Sequence, residues 1–201
     1  MLMFWKAKLV LLAVPKTGTT ALEEALLPYA DVAILNPPPL KHATLRRYRD
    51  QLAPFFEQRQ TRPLEVMAMV REPVSWLGSW FRYRARAGNA HRATSTASIG
   101  FEQFVDAWLG DPVPEFARVG RQSRCLAGSD GKPDVEHLFA YERFDEAVRF
   151  LENRLDRSVS VPRRNVSPDG IVALSAGMRA RLHREAAPEF KLWDSAMARP
   201  P

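Results

Sequence analysis

The sequence predicts an α/β protein of three layers, with a mainly parallel central sheet of about four to five strands flanked by helices. Three observations carry this. Apolar runs of strand length alternate with amphipathic stretches of helical period. Two of those runs, Lys8–Val14 and Glu65–Val70, are almost wholly apolar, as in strands buried on both faces. The segments that follow three of the strands hold the chemically richest residues, which is where ligands bind in open α/β sheets.

The elements follow in order. Lys8–Val14 is the first strand. A short Gly/Thr loop leads into a helix over Ala21–Leu27, with Leu22, Ala25 and Leu26 on one face. Asp31–Leu35 is a second short strand, stopped by Asn36-Pro37-Pro38-Pro39. Leu45, Tyr48, Leu52, Phe55 and Phe56 recur at helical spacing, so Lys41–Gln58 reads as one helix. Glu65–Val70 is the third strand. Pro73 suits the first turn of the next helix, which runs to about Arg86. Residues 87–100 are small and polar and read as a mobile loop, a candidate lid. Phe101–Leu109 and Glu115–Leu126 are helical, His137–Tyr141 is the fourth strand, and Arg143–Leu155 is an amphipathic helix. Residues 158–170 are irregular; Ser175–Ala187 and Pro188–Ala196 close the chain as helices.

At 201 residues the chain has the length of one domain, read as spanning 1–201. Its 46% hydrophobic and 26% charged content is that of a globular protein, which sets aside the disordered and fibrous classes. The single cysteine, Cys125, permits no intrachain disulfide and fits a reducing compartment. No run of 18 apolar residues occurs, so no membrane helix is expected. The N-terminus lacks the order of a secretory leader. A cytoplasmic protein is the expectation. Twenty-nine basic against 23 acidic residues give a net charge of +6, and 23 of the basic residues are arginine. Arginine suits bidentate contact with oxyanions, although a GC-rich genome produces the same bias. The basic residues are spread among acids and form no stripe, and no nucleic-acid motif is present, so nucleic acid is not an expected partner.

Two segments point to anion chemistry. Between the first strand and its helix stands Pro15-Lys16-Thr17-Gly18-Thr19-Thr20. A helix N-terminus offers unpaired N–H groups and the positive end of a dipole. Gly18 lets the backbone curl closely round a phosphate. Thr17, Thr19 and Thr20 add hydroxyls, and Lys16 adds a mobile charge. This is not a Walker A sequence, because its lysine precedes the only glycine by two residues instead of following a second one. An ordinary strand-to-helix turn, capped by a Thr20/Glu23 box, is the competing structural reading. The second segment begins at Arg71, which closes the third strand. Ser79 lies eight residues on, and Ser75, Ser79, Arg82 and Arg86 share one helix face.

The hexapeptide resembles the 5′-phosphosulfate loop of sulfotransferases that use 3′-phosphoadenosine 5′-phosphosulfate (PAPS). Arg71-Glu72-Pro73 followed by Ser79 is similar to that family's 3′-phosphate motif. Tyr141-Glu142, Asn165-Val166-Ser167 and Phe190-Lys191-Leu192-Trp193 look like features of its small bacterial members. The resemblance implies a P-loop-like fold. It also implies transfer of a sulfuryl group from PAPS to a hydroxyl or amine of a carbohydrate or small metabolite, leaving adenosine 3′,5′-bisphosphate. Lys16, Thr17, Gly18, Thr19, Thr20, Arg71 and Ser79 would bind the cofactor, and Lys16 would act on the leaving phosphate. No metal is called for.

Four histidines are present. His42 opens a helix at the carboxyl edge of the sheet and is the candidate general base, with Lys41 beside it as an anion contact. Glu142 is the alternative base, although a carboxylate there more often caps a helix. His91 falls in the candidate lid, His183 on a distal helix, and His137 reads as structural. Arg163, Arg164 and Asn165 are candidates to complete the nucleotide pocket, but the Arg-Lys-Gly of the animal cytosolic enzymes is absent. Cys125 reads as a small hydrophobe. Two alternatives stay open: a P-loop-type small-molecule kinase using ATP, and a non-catalytic nucleotide-binding relative.

Overall fold

The structure, a computed structural model, describes residues 1–58, 62–89, 91–162 and 172–198. The sheet has five strands in the order β3-β1-β2-β4-β5: β1 (Leu2–Phe4), β2 (Leu9–Leu11), β3 (Val32–Ala33), β4 (Glu65–Val70) and β5 (His137–Ala140). The inner pairs β2·β4 and β4·β5 are parallel, while β1 runs antiparallel to both of its neighbours. The class is therefore α/β, with a parallel centre and an antiparallel margin.

The margin departs from the sequence expectation. Leu2–Phe4 forms a strand of its own, turned back onto β2 through Trp5–Lys8, with Lys8 at a φ of 53°. Burial of Leu2, Met3 and Phe4 against both helical layers drives this pairing. β2 is regular only over three residues, but its apolar run continues along β4, where the Leu12 amide donates to the Met67 carbonyl at 2.9 Å.

Strand parity builds the layers. Val10, Leu12, Val66, Ala68, Val70, Leu138 and Ala140 face one side; Leu9, Leu11, Met67 and Met69 face the other. The second side is covered by α1 (Thr19–Leu26) and α8 (Phe144–Leu155). The first is covered by a broken helix and by α10 (Ala187–Met197). The broken helix replaces the single one expected over Lys41–Gln58. It comprises α2 (Pro38–Lys41), α3 (Leu45–Arg47), a π turn over Tyr48–Leu52 and α4 (Ala53–Phe56). Thr44 starts α3 by accepting from the Arg47 amide. Pro54 has no amide to close a regular turn, and the wider turn precedes it.

A third apolar cluster lies beyond the carboxyl ends of the strands. It joins α5 (Pro73–Arg84), α6 (Phe101–Leu109) and α9 (Ala176–Glu185) to Phe190 of α10. Residues 115–126 are not one helix but a 3₁₀ turn at Glu115–Ala117 and α7 (Gln122–Cys125). Gly120 separates them at a φ of 78°, a left-handed conformation that interrupts the helix. Part of the segment read as a candidate lid, 87–100, packs onto the third cluster. Thr96 is buried and donates to the Phe81 carbonyl at 2.7 Å, and Ile99 packs into the third cluster. No helix among the described residues is long and apolar enough to cross a membrane.

The chain leaves β2 toward the β3 edge and returns to β4 on the opposite side of β2. The switch point of the topology thus falls between the carboxyl ends of β2 and β4. The Lys16 loop leaves one of those ends and Arg71 the other.

Candidate functional site

The loop 15–20 is held by strain and by specific contacts. Lys16 has a φ of 68° and Gly18 a φ of 80°. For a lysine this left-handed backbone costs about 1–2 kcal/mol. Thr17 is fully buried, and its hydroxyl donates to the Val14 carbonyl at 2.9 Å. The Trp76 indole N–H of α5 donates to the Pro15 carbonyl at 2.9 Å, tying the loop to the helix beside it. A Cβ on Gly18 would come within 2.8 Å of the Phe144 ring and 3.1 Å of Tyr141, so this position admits only glycine. Gly18, not Thr20, is the N-cap of α1, and no side chain caps that helix. The Thr20/Glu23 box is therefore not formed; Glu23 is buried and pairs with Lys41 at 2.6 Å. Thr19 is buried and Thr20 exposed, both in the first turn.

Lys16 rests on aromatic rings. Its Nζ lies 3.4 Å from the Tyr83 ring centre and 5.1 Å from that of Trp80. Burial, reinforced by Arg86, Arg71 and Arg84, brings its pKa down to about 8. The second segment therefore reaches the first: Arg71 just past β4, Arg84 at the end of α5 and Arg86 beyond it act on the loop lysine.

Arg71 is fixed by its surroundings. The Gln122 side chain of α7 grips its backbone twice, accepting from the Arg71 amide at 2.9 Å and donating to its carbonyl at 2.8 Å. Gln122 is held in turn by buried Glu189, which accepts from the amides of Gln122 and Ser123. The Arg71 guanidinium stacks 4.4 Å from the Tyr141 ring centre, and its Nε donates to the Ser75 hydroxyl at 2.9 Å. Burial lowers its pKa, with Tyr141 and Glu142 acting the other way. The hydroxyl joined to Arg71 is thus Ser75's; Ser79 follows one turn along the same helix face, 9% exposed.

The acidic groups at this edge are committed elsewhere. Glu72 caps α5, accepting from the Ser75 amide at 2.7 Å. Glu142 accepts from the Glu72 amide and from the Trp193 indole, each at 3.0 Å. Among the described residues, Trp80 Nε1 and Arg82 Nε are buried and have no hydrogen-bond partner. Cations in excess beside unpaired donors have the chemistry to hold an anionic group. Arg84 has a separate task, donating to the carbonyls of Glu115, Phe116 and Arg118.

His42 lies beside this edge. Its Nδ1–H donates to the Ala13 carbonyl at 2.6 Å, two residues before the loop begins. The neutral ring therefore keeps its lone pair on Nε2. Burial lowers the His42 pKa, opposed by that hydrogen bond.

The other candidates lie apart. His137 pairs with Glu65 at 2.7 Å on β4, His183 stacks on Phe190, and His91 is exposed. Burial raises the Cys125 thiol to about 11, as befits a packing residue. Arg163, Arg164 and Asn165 lie outside the described residues. Among the described residues no group of three or more His, Cys, Asp and Glu could hold a metal ion. From the sequence Trp76 and Tyr83 read only as an aromatic, core-facing side of their helix, and Gln122 and Glu189 carried no signal, because their roles arise only when distant helices meet the strand ends.

Fold and site together define a mixed α/β protein with a cationic cluster at the switch point of its sheet. No family model matches the chain, and no curated protein or solved structure does either.

Proposed function

We propose that the protein is a PAPS-dependent sulfotransferase of P-loop-like fold, built as a single domain over residues 1–201, acting on a hydroxyl or amine of a carbohydrate or small metabolite. The observation that carries this reading is the cluster of Lys16, Arg71, Arg84 and Arg86 at one strand edge, with both adjacent carboxylates engaged elsewhere. Two separate cationic positions suit a nucleotide that carries phosphate at both its 3′ and 5′ ends. The backbone of loop 15–20 and Lys16 would hold the 5′-phosphosulfate, and Arg71 with Ser79 the 3′-phosphate.

In the transfer, the acceptor oxygen or nitrogen forms a bond to sulfur while the bond from sulfur to the 5′-phosphate oxygen breaks. The acceptor proton goes to His42 Nε2, and adenosine 3′,5′-bisphosphate departs with its new charge facing Lys16. His42 is preferred to Glu142 because both Glu142 oxygens are already engaged.

The test is calorimetry of the full chain without divalent metal. Adenosine 3′,5′-bisphosphate should bind at least tenfold more tightly than AMP or ATP-Mg. Arg71→Ala and Ser79→Ala should each weaken bisphosphate by about 1.5–3 kcal/mol and leave AMP nearly unchanged. Equal losses for the two ligands, or a strict need for magnesium, would sink the proposal in favour of the kinase. His42→Ala should cut turnover by roughly 10²–10⁴-fold with bisphosphate affinity retained. Because the His42 pKa is lowered, the acid limb of the rate profile should fall below pH 6.5.

A further inference from the structure

A second concentration of positive charge lies on another part of the molecule. A groove of about 960 Å³ opens between the start of α3, helix α7, the turn at 127–133 and helix α10. No residue of loop 15–20 or of α5 lines it. Five basic side chains do: Arg46, Arg121, Arg124, Lys132 and Lys191.

The two carboxylates in its wall are occupied. Glu189 caps α7, and Glu185 pairs with Arg181 and Arg184. Among the described residues the acidic partner of Arg46 is the solvent-exposed Asp50, at 3.4 Å. The Arg121 guanidinium lies 4.0 Å from the Trp108 ring centre, which orients its charge, and Glu189 is the carboxylate that acts on it. Among the described residues no acidic side chain pairs with Arg124, Lys132 or Lys191. Cations drawn from three sides of one concavity repel each other, and the five basic side chains outnumber the two carboxylates of the wall by three.

We propose that this groove binds a small polyanion, a molecule bearing two or more phosphate, sulfate or carboxylate groups. Its volume sits near the upper end of small-molecule sites, about 300–1,000 Å³, too large for a lone phosphate. The convergence of the charges on one hollow, in place of a stripe along the surface, favours a compact ligand over a nucleic acid. This inference does not depend on the transfer reaction.

The test is titration calorimetry at low salt with inorganic tripolyphosphate, sucrose octasulfate and citrate, which separate phosphate, sulfate and carboxylate chemistry. It is run on the wild-type chain and on Lys16→Ala, in which the loop is disabled. At least one probe should bind Lys16→Ala as tightly as it binds a site of the wild type. Adding Arg124→Glu and Lys191→Glu should weaken that binding about tenfold or more. Both positions are exposed, so the melting temperature should hold; Lys132→Glu, on a different element, should act in the same direction. Failure of all three probes to bind the wild type, binding abolished by Lys16→Ala alone, or binding indifferent to the charge reversals would each overturn the proposal. So would single-stranded DNA binding more tightly than every probe.

Discussion

Lys16 stands in a left-handed backbone with its charge drawn out of water, and both features work against folding. Lys16→Gly relieves both, so it should stabilise the protein by about 1 kcal/mol in thermal or denaturant melts while weakening anion binding. The pH dependence has a definite sign. Folded Lys16 loses its proton near pH 8 and the unfolded residue near 10.5. Between those values the unfolded chain binds more protons, so stability due to this residue rises with pH across that window. Anion affinity runs the other way: it should be full below about pH 8 and decline above it. A flat profile from pH 7 to 9.5 would show that Lys16 is not the contact. The residue types of this loop were legible in the sequence. The strain was not, because it is imposed by Trp76, Tyr141 and Phe144 arriving from other elements.

Helix α5 organises the edge by touching both the Lys16 loop and the Arg71 segment. Its Trp76 holds the Pro15 carbonyl, and its Ser75 holds Arg71. Trp76→Phe keeps most of the apolar contact and removes one hydrogen bond. It should cost about 1 kcal/mol of stability, with a clear loss of anion affinity. If affinity is unchanged, the loop does not need that tether. Gln122→Met leaves the Arg71 amide and carbonyl without partners and should cost about 1–3 kcal/mol. A Gln122→Met protein that melts like wild type would show that the clamp does not fix Arg71. Elements whose pattern is local, such as β4, α6 and α8, were readable from periodicity alone. β1 was hidden because Leu2–Phe4 is only three residues long and its partner lies across a tight turn. The helix at 41–58 was overextended because its apolar spacing persists through the π turn and past Pro54.

At the scale of the whole molecule, charge is divided between the two ends of the sheet. At the amino end of β4, Glu65 accepts from His137 at 2.7 Å and from Arg154 at 2.6 Å, and Arg154 also donates to the Ala7 carbonyl at 2.7 Å. Cations there are matched, whereas at the carboxyl end they are in excess. The His137 hydrogen bond, with Arg154, lowers the Glu65 pKa. Its contribution is therefore present above the ordinary value of 4.5 and is lost as pH falls through the lowered value. Glu65→Ala should lower the melting temperature at pH 7, narrow its gap from wild type under acid conditions, and leave anion affinity unchanged. Loss of affinity in this variant would mean that the two ends are coupled. The division was partly visible in the sequence, since Arg71 and the Lys16 loop follow strands. The pairing of Glu65 with residues 72 and 89 positions away was not.

The seat of Lys16 on Trp80 and Tyr83 gives the molecule an optical gauge of its own. Indole emission responds to a charge resting against the ring, and an anion that draws the ammonium away changes what Trp80 senses. Arrival of a ligand should therefore register as a shift in intrinsic fluorescence, with no label attached. Replacing Trp80 with phenylalanine should silence that signal while the other four tryptophans continue to emit.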